Sequence, residues 1–448
     1  MEHSEKLGKE KIPRLLLNMS LPSIMGMLAV TLYHVADTIF VGRGVGTLAI
    51  AALSVSMPFL MSIAIFGQAI SIGGASIISR ALGAGDKEKA NLTLNNLVHT
   101  ISIINVVVII VAFVFIRPVL IVFGAGESYI DLAVNYTQIA LIGSFFMNYI
   151  HITMNSIRAE GNAKFAMQIM IFGAVLNLIV DPIFIFVFDW GIRGAALATV
   201  LSQMSGAVLA TVYLFSGRGA LRLSLSKIMK WPQFSILKES FGIGSASFAR
   251  QAASTLIVIL INNSLLHYGG PVYVAAFGIV FRLLMFNFMP LIGINQGFMP
   301  IAGYNYGAGN YSRVMHVLRA GIRAATVFSV VSFCIFFFLS HQLITVFTED
   351  EALIEIAEKA LRIMVLMLPL IGLQIIGSGL FQALGKIVPA LLLGLSRQVL
   401  FLIPLALILP RFWGAEGVWF SFPASDFLAA FITTLLLYRE IKKLNKCQ

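Results

Sequence analysis

The run Val-Val-Val-Ile-Ile-Val-Ala-Phe-Val-Phe occupies residues 106–115 and contains no charged or polar side chain. It lies inside a longer apolar stretch, 93–116, which is long enough for the roughly 20-residue helix that crosses a bilayer. The alternation of apolar and polar residues that marks a transmembrane β-strand is absent from the run. The run therefore predicts a membrane-spanning α-helix.

The rest of the chain has the same character, because 58% of its 448 residues are hydrophobic, 11% are charged, and the mean hydropathy is +0.91. A soluble domain carries roughly 25% charged residues, so most of this exterior must face lipid. The sequence predicts an all-α integral membrane protein of twelve transmembrane helices. The first span is too long for the apolar region of a signal peptide, so we expect the mature chain to retain it. The predicted spans are 15–41, 50–80, 93–116, 130–154, 165–188, 194–215, 240–267, 274–302, 320–345, 354–381, 388–410 and 415–438.

The net charge of +11 does not indicate nucleic-acid binding, because the positions of the cations follow the membrane. With the N-terminus inside, most of the 31 lysines and arginines fall in inner segments. The outer loops contain only Arg43, Arg117, Arg193 and Arg411. This asymmetry is the positive-inside pattern. We therefore expect a multi-pass protein of the plasma (inner) membrane with both termini in the cytoplasm.

The chain contains an internal repeat. When it is shifted by 224 residues, Gly73 falls on Gly297 and Gly83-Ala-Gly85 falls on Gly307-Ala-Gly309. The repeat predicts an N-terminal six-helix lobe at 1–215, a cytoplasmic interlobe loop at 216–239, and a C-terminal six-helix lobe at 240–448. An even number of spans per copy predicts a pseudo-twofold axis along the membrane normal, a symmetry of secondary transporters. Duplicated channels and structural proteins are the alternative.

No sequence motif supplies chemical energy or catalysis. The segment that starts at Gly83 lacks the glycine and lysine spacing of a phosphate-binding loop, and reads better as a helix-ending turn. No HExxH, GxSxG or paired-histidine pattern supports the rival hypothesis of a membrane-embedded enzyme. We therefore predict a transporter that is not an enzyme, needs no cofactor, and draws energy from a proton or sodium gradient.

Two carboxylates lie inside predicted spans, where an ionisable group costs roughly 2.5–3.5 kcal/mol and needs a reason. Asp37 is in the first span and Asp181 is in the fifth, one helical turn after Asn177. Pro182 removes the backbone N–H that would bond the Leu178 carbonyl. These oxygens predict a site for a proton or a sodium ion. The alternative is that Asp181 caps a proline break and Asn177 bonds a neighbouring helix.

Two hydroxyl groups complete this predicted site if their helices surround the same pocket: Tyr136 in the fourth span and Thr199 in the sixth. The repeat does not duplicate the acids, because Asp37 and Asp181 fall on Ile261 and Leu405. Ion coupling is therefore expected in the N-terminal lobe.

The C-terminal lobe has its own polar groups in predicted spans. Arg397 and Asp426 pair with each other, or Asp426 is a second cation site; the sequence leaves both open. Thioethers adapt to ligands of many shapes, so methionines are candidates for a substrate cavity, although lipid-facing or packing roles remain the alternative. The candidate cavity residues are Met57, Met61, Arg250, Met285, Met289, Arg397 and Asp426.

The sequence resembles the multidrug and toxic compound extrusion (MATE) transporters, most closely the bacterial and archaeal branch of DNA-damage-inducible efflux proteins. The resemblance covers residues 10–440. The segments that carry it are Pro22 with Val35–Gly42, Arg80–Gly85, Arg158–Gly161, Asn177–Ile183, Gly191–Ala195 and Gly417–Trp419. It implies two lobes and export of cationic, often aromatic compounds in exchange for protons or sodium.

By this resemblance Asp37, Asn177, Asp181 and Thr199 match the cation site of the N-terminal lobe, and Tyr136 matches a neighbouring hydrogen-bonding tyrosine. We expect ion binding to rearrange the first span around Pro22, with Pro182 as a second hinge. One branch of the family uses acids in spans 7 and 10. The corresponding spans here contain Arg250, Gln251, Gln374 and Gln382, which puts a sodium site in the second lobe in doubt.

The expected partners are small cationic or amphipathic compounds and membrane lipids, and the expected state is a monomer. A flippase for lipid-linked saccharides, a function found in the same broad superfamily, is the alternative. Arg250 and Arg397 keep this alternative open because a flippase favours a cationic cavity.

Overall fold

The computed structural model describes residues 3–224, 226 and 232–446, and this part of the chain is helical. The interlobe residues Lys227, Lys230 and Trp231 and the C-terminal Cys447 lie outside the described residues. The α-helices are α1 His3–Lys9, α2 Ile12–Gly44, α3 Thr47–Gly83, α4 Lys87–Val122, α5 Ile130–Ala159, α6 Ala163–Pro182, α7 Gly191–Ser216, α8 Phe234–Gly269, α9 Pro271–Gly307, α10 Tyr311–Phe338, α11 Ser340–Thr345, α12 Glu351–Met364, α13 Leu368–Ala383, α14 Ile387–Leu395, α15 Ile403–Ile408 and α16 Pro410–Lys446. Two π-helical turns, Ile183–Val187 and Ser396–Leu402, follow α6 and α14.

Within the described residues there are 11 single stretches long and apolar enough to cross a membrane. The bent pair α12 and α13, counted as one span, brings the number to twelve. This confirms the predicted fold class. The tenth span differs from the expected continuous helix 354–381, because it bends by 51° between Met364 and Leu368. Pro369 lies in the first turn of α13. A proline is favoured at the start of a helix, where its missing N–H costs nothing, and this explains why a new helix begins there.

The internal repeat is visible in the backbone. Helices α3 and α9 each contain 37 residues, and each begins after a glycine of positive φ, Gly46 (105°) or Gly270 (82°). The following helices are capped alike, because the side chains of Asp86 and Asn310 each accept a hydrogen bond from a backbone N–H three residues on. All these pairs are 224 residues apart in the sequence.

The chain divides into two compact units that exchange short segments. Unit 1 comprises Met1–Lys9 and Leu21–Gly244, and unit 2 comprises Glu10–Ser20 and Ser245–Gln448. The start of α2 therefore belongs to unit 2, and the start of α8 belongs to unit 1. The division within α2 falls between Ser20 and Leu21, next to Pro22.

Glycines allow both exchanged segments to pack closely. In unit 1, a Cβ at Gly73 would overlap the backbone carbonyl of Ser240 in α8. In unit 2, a Cβ at Gly297 would overlap the backbone of Ser20 in α2. The Arg313 side chain also donates a hydrogen bond to the Glu10 carbonyl. The repeat thus uses paired glycines, 224 residues apart, for the same kind of close helix contact.

Candidate functional site

The first part of the candidate site is a buried carboxyl group on α2. Asp37 is 3% exposed, and its Oδ1 has no hydrogen-bond partner among the described residues. The neighbouring positions Val35 and Ile39 are exposed. Because residues two positions apart point to different sides of a helix, Asp37 faces the interior of unit 1 while its neighbours face outward.

The second part lies at the end of α6. Asn177 and Asp181 are 1% and 0% exposed, and their spacing of one turn places both on the inner face of the helix. In the described part of the chain, both Asp181 oxygens and the Asn177 Oδ1 lack hydrogen-bond partners. The Asn177 Nδ2 lies 3.5 Å from the Thr199 Oγ1 on α7, a long contact. In this orientation the amide nitrogen of Asn177 is the atom nearest Thr199, and its oxygen is on the other side of the amide group.

Pro182 and the π-helical turn Ile183–Val187 follow this acid directly. A proline cannot donate to the helix ladder, and a π-helical turn replaces the α-helical bonds over the next residues. The sequence anticipated the irregular hydrogen bonding at Pro182 but not the π-helical turn. Such turns often occur at functional sites.

The structure brings the two carboxyl groups together, because that of Asp37 lies within side-chain hydrogen-bonding reach of that of Asp181. Tyr136 on α5 is 3% exposed and close enough for both acids to act on its hydroxyl group. The five residues predicted for the cation site thus come from four helices, α2, α5, α6 and α7. Their roles in ion coupling stay predictions.

Tyr33 is a neighbour that the sequence analysis missed. Its hydroxyl group lies within the electrostatic influence of Asp37 and close to Tyr136. A usable signal was present, because Tyr33 precedes Asp37 by four residues and so lies on the same helical face. One side of the site is apolar, since Tyr136 belongs to a buried cluster with Val41, Ile185 and Ala196.

The arrangement supplies carboxylate and amide oxygens to one small volume. Hard cations such as sodium, and protons, are held by oxygen ligands of this kind. Among the described residues, no group of three or more His, Cys, Asp and Glu side chains could hold a metal ion. The two carboxyl groups and the amide oxygen are instead donors of the kind that suits a proton or a sodium ion, and transport of such an ion stays a prediction.

The buried carboxylate of unit 2 differs from those of unit 1 because it has a basic partner. Asp426 on α16 is 1% exposed, and its Oδ1 forms an ion pair with the Nε of Arg397. The Gln374 Nε2 on α13 donates a 2.8 Å hydrogen bond to the Asp426 backbone carbonyl. Of the two alternatives that the sequence left open, the structure contains the pairing of Arg397 with Asp426.

The other residues predicted for a substrate cavity are dispersed over both units. Met61 in unit 1 and Met285 in unit 2 are 58% and 52% exposed, whereas Met57 and Met289 are half-buried. Arg250 on α8 is half-buried and donates to the Ser247 hydroxyl at 3.2 Å. Their contribution to a cavity stays a prediction.

Comparisons with known proteins all point to one family of membrane transporters. The family model described as MatE matches residues 22–183 and 246–408. The multidrug export protein MepA of Staphylococcus aureus (strain bovine RF122 / ET3-1) is 28% identical over 430 residues, covering 96% of this chain and 94% of that protein.

Solved structures are similar over the same extent. A MATE transporter in a bent conformation has a TM-score of 0.92 and 26% identity, covering 100% of this chain and 99% of that one. A MOP-superfamily transporter from Pyrococcus furiosus, reported to have a binding pocket of reverse polarity that suggests a different function, has a TM-score of 0.90 and 26% identity, covering 98% of both chains.

Proposed function

This chain belongs to the MatE family, and from that premise we propose that it is an antiporter that exports cationic and amphipathic compounds in exchange for protons or sodium ions. Its family and its relatives make it a multi-pass membrane transporter of small molecules, a multidrug efflux protein and not an enzyme. The exchange mechanism and the ion site are the parts that we add.

The observation that carries the proposal is the pair of buried carboxyl groups of Asp37 and Asp181. The two lie close enough to share a proton, and no hydrogen-bond donor among the described residues contacts either Asp181 oxygen. Two buried carboxylates repel each other, and burial makes their charges expensive. A proton or a sodium ion shared between them removes most of this cost, so the pair favours an exchangeable cation.

Ion binding has a mechanical consequence because the two acids are on different helices. A shared cation draws the Asp37 segment of α2 toward α6. Helix α2 contains Pro22, which cannot donate a backbone hydrogen bond to the Asn18 carbonyl. Pro22 also lies beside the division of α2 between the two units, where the weakened hydrogen bonding allows the helix to bend. Rearrangement around Pro22, aided by Pro182, lowers the affinity for the exported compound.

The charge pattern of the sequence supports the membrane location and orientation that we propose. The protein resides in the plasma (inner) membrane with both termini in the cytoplasm, because its lysines and arginines concentrate in the segments on that side. It works as a monomer surrounded by lipid and needs no cofactor besides the coupling ion.

The test is efflux of an ethidium-like dye from proteoliposomes, with the proton gradient and the sodium gradient imposed separately. The wild-type chain should transport the dye under one of the two gradients. Asp37→Asn and Asp181→Asn should reduce this transport to the level of protein-free liposomes, since an amide group does not take up a proton and has no negative charge to hold a sodium ion.

The control is Asp189→Asn, which removes an exposed acid from a residue with a positive φ of 53° that asparagine tolerates. This variant should transport the dye as the wild-type chain does. Gradient-driven transport that survives in both Asp37→Asn and Asp181→Asn would contradict the proposal.

A second candidate, a flippase for lipid-linked saccharides, is favoured by two arginines of unit 2. Arg250 and Arg397 influence each other electrostatically, and the buried carboxylate of Asp426 pairs with Arg397. The similar Pyrococcus furiosus transporter, whose reported reverse polarity of the binding pocket suggests a different function, shows that pocket charge varies among chains of this fold. Translocation of a fluorescent lipid-linked saccharide without dye efflux would favour the flippase.

A further inference from the structure

Unit 2 contains a polar cluster that the ion-exchange proposal does not use. Its basic members are Arg250 on α8 and Arg397 in the π-helical turn Ser396–Leu402, and its acidic member is Asp426. The Asp426 carboxylate is engaged by Arg397. In the described part of the chain, the side-chain hydrogen-bond partner of Arg250 is the neutral hydroxyl of Ser247. The cluster therefore carries two guanidinium charges against one carboxylate.

A hydrogen bond joins the helical segments that carry the two arginines. Ser254 lies one turn after Arg250 on α8, and its hydroxyl accepts a 2.8 Å hydrogen bond from the Nε2 of Gln398, the residue after Arg397. The charge of Arg397 also acts on Arg250. Two like charges held together in a membrane-embedded unit are costly unless an anion joins them.

Arg250 has donors to spare for such an anion. An arginine carries five N–H donors in a planar fork that matches a carboxylate or a phosphate. The Ser247 hydroxyl accepts from both Arg250 and the Gln382 Nε2, at 3.2 Å each, so its oxygen is occupied from two sides. This contact orients the guanidinium and leaves its remaining N–H groups for a ligand.

An aromatic surface lies beside the charges. The guanidinium carbon of Arg397 is 5.2 Å from the centre of the Phe288 ring, a cation–π geometry. Arg250, Arg397 and Phe288 are each half-buried, whereas Asp426 and Gln382 are buried. A ligand that reaches these three half-buried groups meets a positive charge next to an apolar ring, which suits an acidic group on an amphipathic body.

We propose that Arg250, together with Arg397, binds the anionic group, a carboxylate or a phosphate, of an amphipathic compound that the protein transports. This inference rests on the proposed export function and extends its substrates from cations to zwitterions and acids. Unit 1 takes the coupling cation, and unit 2 selects compounds by their acidic group.

The test compares two dyes that differ in one functional group: rhodamine 110, with a free carboxylate, and rhodamine 123, its methyl ester. Binding to the purified full chain is followed by fluorescence anisotropy, and efflux is followed in proteoliposomes. Arg250→Gln should weaken binding of the acid about tenfold or more and change binding of the ester less than twofold, because a hydrogen bond to a charged group is lost only for the acid.

Two further variants separate recognition from folding. Arg250→Lys keeps the charge and loses the fork, so it should bind the acid more weakly than the wild-type chain and more strongly than Arg250→Gln. Arg282→Gln removes an arginine of unit 2 outside the cluster and should bind both dyes as the wild-type chain does. Equal loss of acid and ester in Arg250→Gln, or no loss of either, would overturn the inference.

The source of the anionic group is tested by competition. Dioctanoyl phosphatidate and dioctanoyl phosphatidylcholine are added to chain loaded with rhodamine 110. Displacement by the phosphatidate alone supports the site and indicates a lipid headgroup as an occupant. Displacement by neither lipid, with the acid dye still dependent on Arg250, supports the site and indicates soluble carboxylates.

The variant Asp181→Asn distinguishes a failure of the ion-exchange proposal from a failure of this inference. Asp181→Asn should abolish efflux of both dyes and leave the preference of binding for the acid unchanged. An acid preference that disappears in Asp181→Asn and survives in Arg250→Gln would overturn the assignment of the anionic group to unit 2.

Discussion

The two units hold their buried carboxylates in opposite ways. In unit 1, Asp181 lies beside a second acid, Asp37, and its oxygens have no hydrogen-bond partner among the described residues. In unit 2, Asp426 is paired with Arg397, whose charge is permanent. A carboxylate with a permanent partner has no need of a transported cation. The two halves therefore share the same helical scaffold, but their buried charged residues differ.

The largest expected difference between the two units is in the free energy of unfolding after one buried acid is replaced. Asp426→Asn leaves Arg397 without its carboxylate, and removal of one member of a buried ion pair costs about 3 kcal/mol of the free energy of unfolding. Asp37→Asn removes a like charge from Asp181 and should leave stability unchanged or raised. Thermal unfolding of the two purified variants measures the difference.

The control for this experiment is the double variant Asp426→Asn with Arg397→Gln, which removes both charges. It should recover part of the stability lost in Asp426→Asn, because no unpaired charge remains. If Asp37→Asn proved to be as unstable as Asp426→Asn, the contrast between the two units would be wrong.

A smaller effect is expected at the tyrosine beside the acids. Tyr136→Phe removes one neutral hydroxyl group and keeps the ring in its buried cluster. On our proposal this hydroxyl group contributes one hydrogen bond to the occupied ion site. Loss of one hydrogen bond, about 0.5–1.5 kcal/mol, should lower the rate of dye efflux about two- to tenfold. Phe281→Leu in unit 2 changes an aromatic residue outside the site and serves as the comparison. A loss of all transport in Tyr136→Phe would make Tyr136 a member of the proton path.

The smallest effect is expected at Thr199. Its hydroxyl lies 3.5 Å from the Asn177 amide nitrogen, at the outer limit of a hydrogen bond. Thr199→Val keeps the shape of the side chain and should lower dye efflux no more than about twofold if the coupling ion is a proton. A larger loss confined to sodium-driven transport would instead place Thr199 among the sodium ligands.

Much of the fold could be predicted from the sequence because lipid imposes simple rules on it. Apolar runs such as 106–115 must be helical, since a spanning segment has to satisfy its own backbone hydrogen bonds. Asp37 and Asp181 could be found because charge is costly in a bilayer, and Asp181 with Asn177 because one turn separates them. These signals are local in the sequence.

Other features depend on contacts between distant segments or on small differences between helical forms. The exchange of 10–20 into unit 2 is made by packing against residues such as Gly297, far away in the sequence. The bend before Leu368 and the π-helical turn after Pro182 depend on which helical hydrogen bonds survive in the packed protein. Tyr33 was missed because a tyrosine in an apolar span is ordinary until a neighbouring acid is placed beside it.

The claim on which the account depends is that Asp37 and Asp181 share an exchangeable cation. Release of this ion on addition of an exported dye to the purified protein tests it most directly, with a pH indicator for protons and a sodium-selective electrode for sodium. The account predicts release of about one ion per chain from the wild-type protein and none from Asp181→Asn. Equal release from Asp181→Asn and the wild-type protein would contradict it.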